Sequence, residues 1–349
     1  MRKLFLSISL LAMAVAFGSC NKDSQVTPLK WDNGIPTEGI YAPEVQIAQL
    51  NIGANDVQQW QWDGTTLKRI VLTGETEGII DFAYAGGLLS QVTENTGNGK
   101  TTRFTYNNGQ LSHIAVNIDG EREADMQVRH DQYGRTTGAD IRFSGSYLLS
   151  LLRQYRNGNP DMAANEMAEW SVLGTLAEWL EHLGILDESL ENKIDHNFSL
   201  TYNWNNYNVM SEVLDGSVRL ELDAQHVVDD LSLLPENIRM AIYTYLSEHN
   251  KLPVRVSFSN IATYTFDSMN NPYYGYQGNG LSVRNLSRNN ILGSQANGEM
   301  TVELLIGDWS FTLYRKPINK SVDRSYHYNW KDYPIQMTGN GLTVITYNN

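Results

Sequence analysis

From Trp60 to Ile114 the apolar residues fall into columns that recur every 22 positions. Trp60, Phe82 and Phe104 form one column, and Trp62, Tyr84 and Tyr106 the next. Leu67, Leu89 and Leu111 form a third, and Ile70, Val92 and Ile114 close the unit. Between the aromatic-x-aromatic segment and the leucine of each unit lie Asp63-Gly64, Gly86-Gly87 and Asn108-Gly109. These pairs accept the positive φ of a tight hairpin, so each unit is predicted to be a β-hairpin of two strands of roughly five to six residues. A degenerate fourth copy is predicted over Val128 to Ile141, with the run His130-Asp131-Gln132-Tyr133-Gly134-Arg135 at its turn.

The second half alternates with period two. Val218, Leu220, Leu222; Val254, Val256, Phe258; and Trp309, Phe311, Leu313 are separated by Ser, Arg, Glu and Thr, the pattern of strands with one apolar and one polar face. Longer echoes run through it. Tyr202-Asn203-Trp204-Asn205-Asn206-Tyr207 resembles Tyr328-Asn329-Trp330-Lys331-Asp332-Tyr333, with the segment from Phe266 to Pro272 in a similar role. Gly278-Asn279-Gly280-Leu281-Ser282-Val283 recurs as Gly339-Asn340-Gly341-Leu342-Thr343-Val344.

Two segments break the β pattern. Met167, Trp170, Leu173, Leu176, Leu180 and Leu183 lie three or four apart and make an apolar helical stripe. Pro235, then Ile238, Ile242 and Tyr245, predicts a second helix ending before Lys251-Leu252-Pro253. The expected fold is mainly β: a large antiparallel, hairpin-repeat sheet, open or barrel-like, with two amphipathic helical insertions. Its expected divisions are hairpin repeats over 58–143, a helical insertion over 158–190, and a second β half over 196–349 containing a helix at 233–250. A lipid-facing barrel is disfavoured, because it needs strands of about 9 to 11 residues and the strands here read as shorter.

The N-terminus changes the picture. Arg2 and Lys3 precede the apolar run Leu4 to Phe17, the small pair Gly18-Ser19 and then Cys20. Residues 1–19 therefore read as an export signal, and a cysteine directly after such a site resembles a bacterial lipobox, which implies lipidation of Cys20. Residues 20–45 read as a Pro-, Gly- and Thr-containing tether ahead of a β-domain over 46–349. Cys20 is the only cysteine, so an intramolecular disulfide and a thiolate zinc site are excluded. The net charge of −13, or −15 once Arg2 and Lys3 leave with the signal, argues against nucleic acid as a partner. No apolar run after Phe17 is long enough to span a membrane as a helix.

Candidate chemistry is mostly eliminated by spacing. Gly97-Asn98-Gly99-Lys100-Thr101 has Glu94 where a phosphate loop needs glycine, and it lies between two hairpins. The seven histidines, at 113, 130, 182, 196, 226, 249 and 327, form no close ligand pair, so no metal and no cofactor is expected. No Gly-x-Ser-x-Gly elbow is present. Asp119, Glu121, Glu123 and Asp125 around Arg122 read as a solvated hairpin tip, and Asp229-Asp230 as favouring the positive end of a helix dipole. A glycosidase needs only two carboxylates about 5 to 9.5 Å apart, which sequence does not measure. Tyr273, Tyr274 and Tyr276 stand in a Gly/Asn-rich loop and are candidate glycan-contacting residues, although fixing the shape of the loop is the favoured reading of these rings.

Several segments resemble known families. The run His130 to Arg135 is close to the tyrosine-aspartate repeat of Rhs-like proteins, with His in place of the usual Tyr. Asn21-Lys22-Asp23-Ser24 resembles the lysine-plus-acid tether of surface-displayed Bacteroidetes lipoproteins, and Asp267-Ser268-Met269 resembles their O-glycosylation triplet. With the lipobox, the hairpins and Asn270-Asn271-Pro272-Tyr273-Tyr274-Gly275, the chain resembles a Bacteroidetes lipoprotein family of unknown function with a porin-like, extended antiparallel sheet. The resemblance implies outer-membrane, surface-exposed display and carries no catalytic residues. The function expected is a non-enzymatic binding or scaffolding module with a glycan or a surface protein as partner. The alternatives are a glycan-active hydrolase with a carboxylate pair and a purely structural envelope protein.

Overall fold

Each predicted unit is a hairpin with a two-residue turn. In the computed structural model, strand β1 (Ile47–Ile52) leads into β2 (Asp56–Asp63) and β3 (Thr66–Thr73), then β4 (Gly78–Ala85) and β5 (Leu88–Asn95), then β6 (Lys100–Asn107) and β7 (Gln110–Ile118). The structure describes residues 41–75, 77–96, 99–157, 171–182, 195–223, 235–276, 281–339 and 341–348. In the third turn Asn108 (φ 51°) and Gly109 (φ 81°) are both left-handed, which is why that turn takes an Asn-Gly pair. The register slips by one residue at Trp62, Tyr84 and Tyr106, the second aromatic of each unit. That slip turns each ring toward the preceding hairpin. Tyr106 Oη donates to Leu89 O at 2.8 Å, Tyr84 Oη to Leu67 O at 2.9 Å, and Trp62 Nε1 to Ile47 O at 2.7 Å. The 22-residue period is thus a hydrogen-bonded ladder, one rung per repeat.

The meander continues through β8 (Glu121–His130), β9 (Thr136–Phe143), β10 (Asp195–Asn205), β11 (Asn208–Asp223), β12 (Lys251–Phe266), β13 (Ile291–Ile306) and β14 (Trp309–Asp323). Strands β15 (Ser325–Tyr328), β16 (Pro334–Thr338) and β17 (Leu342–Tyr347) complete it, and β17 pairs with β1. All paired neighbours are antiparallel, in one 17-stranded sheet that is nearly closed and barrel-like. β14 passes into β15 across Arg324, whose N–H bonds Leu292 O at 2.5 Å. Strands β11, β12 and β13 run 16 residues each, far longer than the short strands expected.

Polarity, not length, decides what the wall faces. An inward row passes from strand to strand: Phe104 opposite Ile114, Ile114 opposite Met126, Met126 opposite Ile141, and Ile141 opposite Phe198. It goes on through Gly216 and Phe258 to Met300. The alternating outward positions carry Ser217, Arg219, Arg255, Ser257, Thr301 and Glu303, and Arg255 clasps Glu303 at 2.9 and 3.0 Å. An apolar inside with a polar outside is the reverse of a lipid-facing barrel. Gly216 keeps the row closed, because a Cβ there would stand 2.5 Å from Phe258 Cζ and 2.9 Å from Phe198 Cδ1.

Helices fill the long-strand lobe. α1 (Gly145–Asn157) and α2 (Ser171–His182) follow β9, and α3 (Glu236–Glu248) follows β11. Leu148, Leu152, Leu176, Leu180 and Ile242 share one core with Phe198, Leu214, Val254 and Val302. The sequence reading missed α1, although Ser144 Oγ caps it by accepting from Tyr147 N at 3.0 Å. Of the predicted stripe, Leu176 and Leu180 are buried on α2. Met167, Trp170 and Leu183 lie outside the described residues, as do the export signal, Cys20, Asn98 and Asp229-Asp230. Tyr41 and Val45, within the expected tether, belong to the buried core.

The two ends of the sheet differ. One, the turn end, gathers the hairpin turns at 64–65, 86–87, 108–109, 131–135 and 206–207, the β12–β13 connection and the turn at 329–333. The chain also arrives there, with Gln46 Nε2 bonded to Gly64 O at 2.7 Å. At the opposite end, the helix end, are the connections that carry α1, α2 and α3 and the turn before Trp309.

Candidate functional site

At the turn end the β12–β13 connection folds inward and plugs the short-strand lobe. Tyr273 and Tyr276 join a core with Trp60, Phe82, Phe104 and Tyr41, and Tyr274 is also buried. The Tyr276 ring centre is 5.4 Å from Trp60 and 5.3 Å from Tyr41, while Arg284 lies 4.4 Å over Tyr273. Burial raises the hydroxyl pKa of all three tyrosines well above the ordinary value. Only 2% of Tyr273 is exposed, so these rings give the loop its shape, as expected of aromatic residues that fix a loop. Gly278, Asn279 and Gly280 lie outside the described residues. Leu281-Ser282-Val283 leads into the short helix α4 (Val283–Leu286), whereas Leu342-Thr343-Val344 is strand, so the shared letters do not share a structure.

Around this plug, asparagine side chains tie neighbouring turns into a rim. Asn208 Nδ2 donates to Asn289 Oδ1 at 3.0 Å, and Asn289 Nδ2 to Met269 O at 2.9 Å. Asn270 Nδ2 reaches Lys331 O at 3.1 Å, and Asn270 N reaches Asp332 O at 3.1 Å. Asn271 Nδ2 holds Arg284 O at 2.6 Å and Ser287 O at 2.8 Å. Asp267 is the knot of the rim. Its Oδ1 accepts from Met269 N and Asn290 N, both at 3.0 Å, and its Oδ2 from Asn290 Nδ2 at 3.1 Å and from Tyr328 Oη. Burial raises the Asp267 pKa against the pull of these donors. A hydrolase would want one acid with a raised pKa, but these acceptor positions hold the rim. Ser268 beside it is exposed.

Three turns at this end expose aromatic rings with a cation above each. Trp330 is 87% exposed with Lys331 Nζ 5.1 Å from its ring centre; Arg135 Cζ lies 5.6 Å from the exposed Tyr133, and Arg288 Cζ 5.2 Å from Tyr207. The two five-residue turns share one construction. Asp131 Oδ1 accepts from Tyr133 N and Arg135 N at 2.8 and 3.0 Å, and Asn329 Oδ1 accepts from Lys331 N and Tyr333 N at 2.9 and 3.0 Å. The structural counterpart of 329–333 is therefore 131–135, not the 202–207 segment it resembles in letters. Trp204 sits inside its strand and donates Nε1 to Thr136 O at 2.8 Å, another ladder rung.

Several of the other candidates have structural partners. Asp125 bonds Arg122 at 2.6 Å and also His113, and Glu123 accepts from Ser144 Oγ and from Ser146 Oγ at 3.3 Å. His196 Nε2 accepts Phe143 N at 2.9 Å. Lys100 opens β6, not a helix, and pairs with buried Glu94 at 2.6 Å. Glu212, the other buried acid among the described residues, accepts from Tyr264 Oη at 3.1 Å. Among the described residues no three His, Cys, Asp or Glu side chains cluster as metal ligands. The rim escaped sequence reading because single asparagines carry no spacing signal; the count of asparagines at turn positions was the available hint. No protein-family model matches this chain, and no curated protein does.

Proposed function

We propose that this chain is a cell-surface lipoprotein of the outer membrane, anchored through Cys20, that works as a non-enzymatic binding or scaffolding body. The observation that carries this reading is the filled interior. Helices α1 to α3 occupy the long-strand lobe, and the Tyr273–Tyr276 loop occupies the short one. Among the described residues, side chains pack where a barrel enzyme or channel keeps its cavity, which favours recognition at the outside: the polar wall, the turns and the helix end. A glycan or another surface protein is the partner class, and nucleic acid is disfavoured by the charge of −13.

The test is a glycan array probed with residues 20–349, with every hit assayed for turnover. Saturable binding without product is the expected result. Product formation from a bound glycan, abolished by an Asp or Glu substitution, would move the chain to the hydrolase class.

A further inference from the structure

We infer that the turn end is a second membrane contact, in which Trp330, Tyr207 and Tyr133 with their cations seat in the phospholipid headgroup layer beneath the anchored body. This rests on the anchor reading of Cys20. An indole or phenol with an apolar ring and a polar edge, next to a lysine or arginine whose stem is apolar and whose head is charged, suits the zone between water and acyl chains. All three ring–cation pairs stand on turns at one end of the sheet.

The path of the chain selects the same end independently. Tyr41 is buried there, with its Oη bonded to Pro272 O at 2.5 Å, so the segment from Cys20 arrives at the turn end and not the helix end. Twenty-one residues reach at most about 70 Å even when fully extended. The helix end lies a further ~50 Å away along the 16-residue strands. The attachment therefore keeps the turn end nearest the anchor, with the helix end up to ~50 Å farther along the body. The acidic body does not draw it down by bulk charge, so the contact must be local: phosphate groups against Lys331 and Arg288, with Arg135 held by Asp131 at 2.8 Å beneath Tyr133, and rings between headgroups.

The experiment uses residues 20–349 coupled through Cys20, the only thiol, to maleimide lipid in phosphatidylethanolamine–phosphatidylglycerol vesicles with brominated acyl chains. Chemical coupling separates this contact from cellular lipidation, which is read as the mass of the mature N-terminus from cells. Emission is compared with that of Trp330→Phe and Trp309→Phe; both residues are exposed, at opposite ends, so neither change threatens the fold. The Trp330 contribution is expected to be mostly quenched and the Trp309 contribution to remain. Lys331→Glu with Arg288→Glu should restore Trp330 emission. Unquenched Trp330 on a coupled chain, or equal quenching of Trp309, overturns the inference. So does Trp330 emission that responds to soluble oligosaccharide but not to bromolipid, which would assign the rim to glycans.

Discussion

The two lobes of the sheet solve the same problem with different materials. Both must fill the space behind an inward apolar row, and neither sheet face could do so alone. The short-strand lobe, β1 to β7, is built from a period: the aromatic columns share one core, each second ring hydrogen-bonds the strand before its own hairpin, and a single inserted loop supplies Tyr273 and Tyr276, the Tyr276 ring contacting Trp60 and Phe82. The long-strand lobe has no such period. Its strands are about twice as long, and helices inserted between strands supply the filling. A repeat packs regularly with its own copies but leaves a central gap of fixed shape, which one aromatic loop fits. The long-strand lobe is filled by helices, each of roughly 10–12 Å diameter, whose leucines join the same core as its strands.

The largest test of this contrast removes the plug. Tyr276→Ala or Tyr273→Ala should cost about 3–5 kcal/mol, as for deletion of a buried aromatic ring, and chemical denaturation would measure it. The loss should appear as exposure of the short-strand lobe in hydrogen exchange, with α2 protected until global unfolding. If α2 opens together with β2 to β7, the lobes are one cooperative unit.

In the other lobe, Gly216→Ala places a methyl group against Phe198 and Phe258, and should destabilise by roughly 1–3 kcal/mol through overpacking. Phe258→Leu in the same chain should recover part of that loss. A neutral Gly216→Ala would mean the inward row is looser than the 5.5 Å separation of the two rings implies.

Much of the short-strand lobe was legible in the sequence, because a period of 22 residues writes the same hairpin three times and the Gly and Asn pairs mark its turns. The bulge at Trp62, Tyr84 and Tyr106 was not, since register is set by packing against the preceding strands. The length of β11 to β13 was hidden because Gly216, Asn260 and Gly298 interrupt the apolar face of strands that run straight through them. Helix α1 was hidden for a different reason: its leucines at 148, 149, 151 and 152 sit directly between the hairpin repeat and the helical stripe that begins at Met167. Of the site, Tyr273, Tyr274 and Tyr276 stood out by composition, yet composition does not say whether a ring in a loop points in or out. The rim of Asn208, Asn270, Asn271, Asn289 and Asn290 exists only once distant turns are brought together.

Smaller effects sharpen the role of the ladder. Tyr106→Phe and Tyr84→Phe each remove one rung and should cost about 0.5–1.5 kcal/mol, measured by thermal or urea unfolding. Added together they should loosen β4 to β7 without touching the helices. A further signal is in pH. Burial raises Tyr84 from its ordinary 10.0 to about 12, so above pH 10 the folded chain holds a proton that the unfolded chain has released. The contribution of Tyr84 is therefore fully present below pH 10 and is lost as pH rises from 10 to about 12. Exchange-monitored alkaline titration should find the short-strand lobe opening first, and Tyr84→Phe should delay it.

Beneath both lobes lies one claim, that the wall is apolar inward and polar outward. Single cysteines in a Cys20→Ser chain test it directly: Ser257→Cys and Thr301→Cys on the outer face of β12 and β13, and Val256→Cys and Val302→Cys beside them on the inner face. The account predicts rapid labelling of the first pair by a charged, membrane-impermeant maleimide and protection of the second until the chain unfolds. Labelling of Val256→Cys and Val302→Cys in the native chain, with the outer pair shielded by lipid or detergent, would describe a water-filled barrel and contradict it.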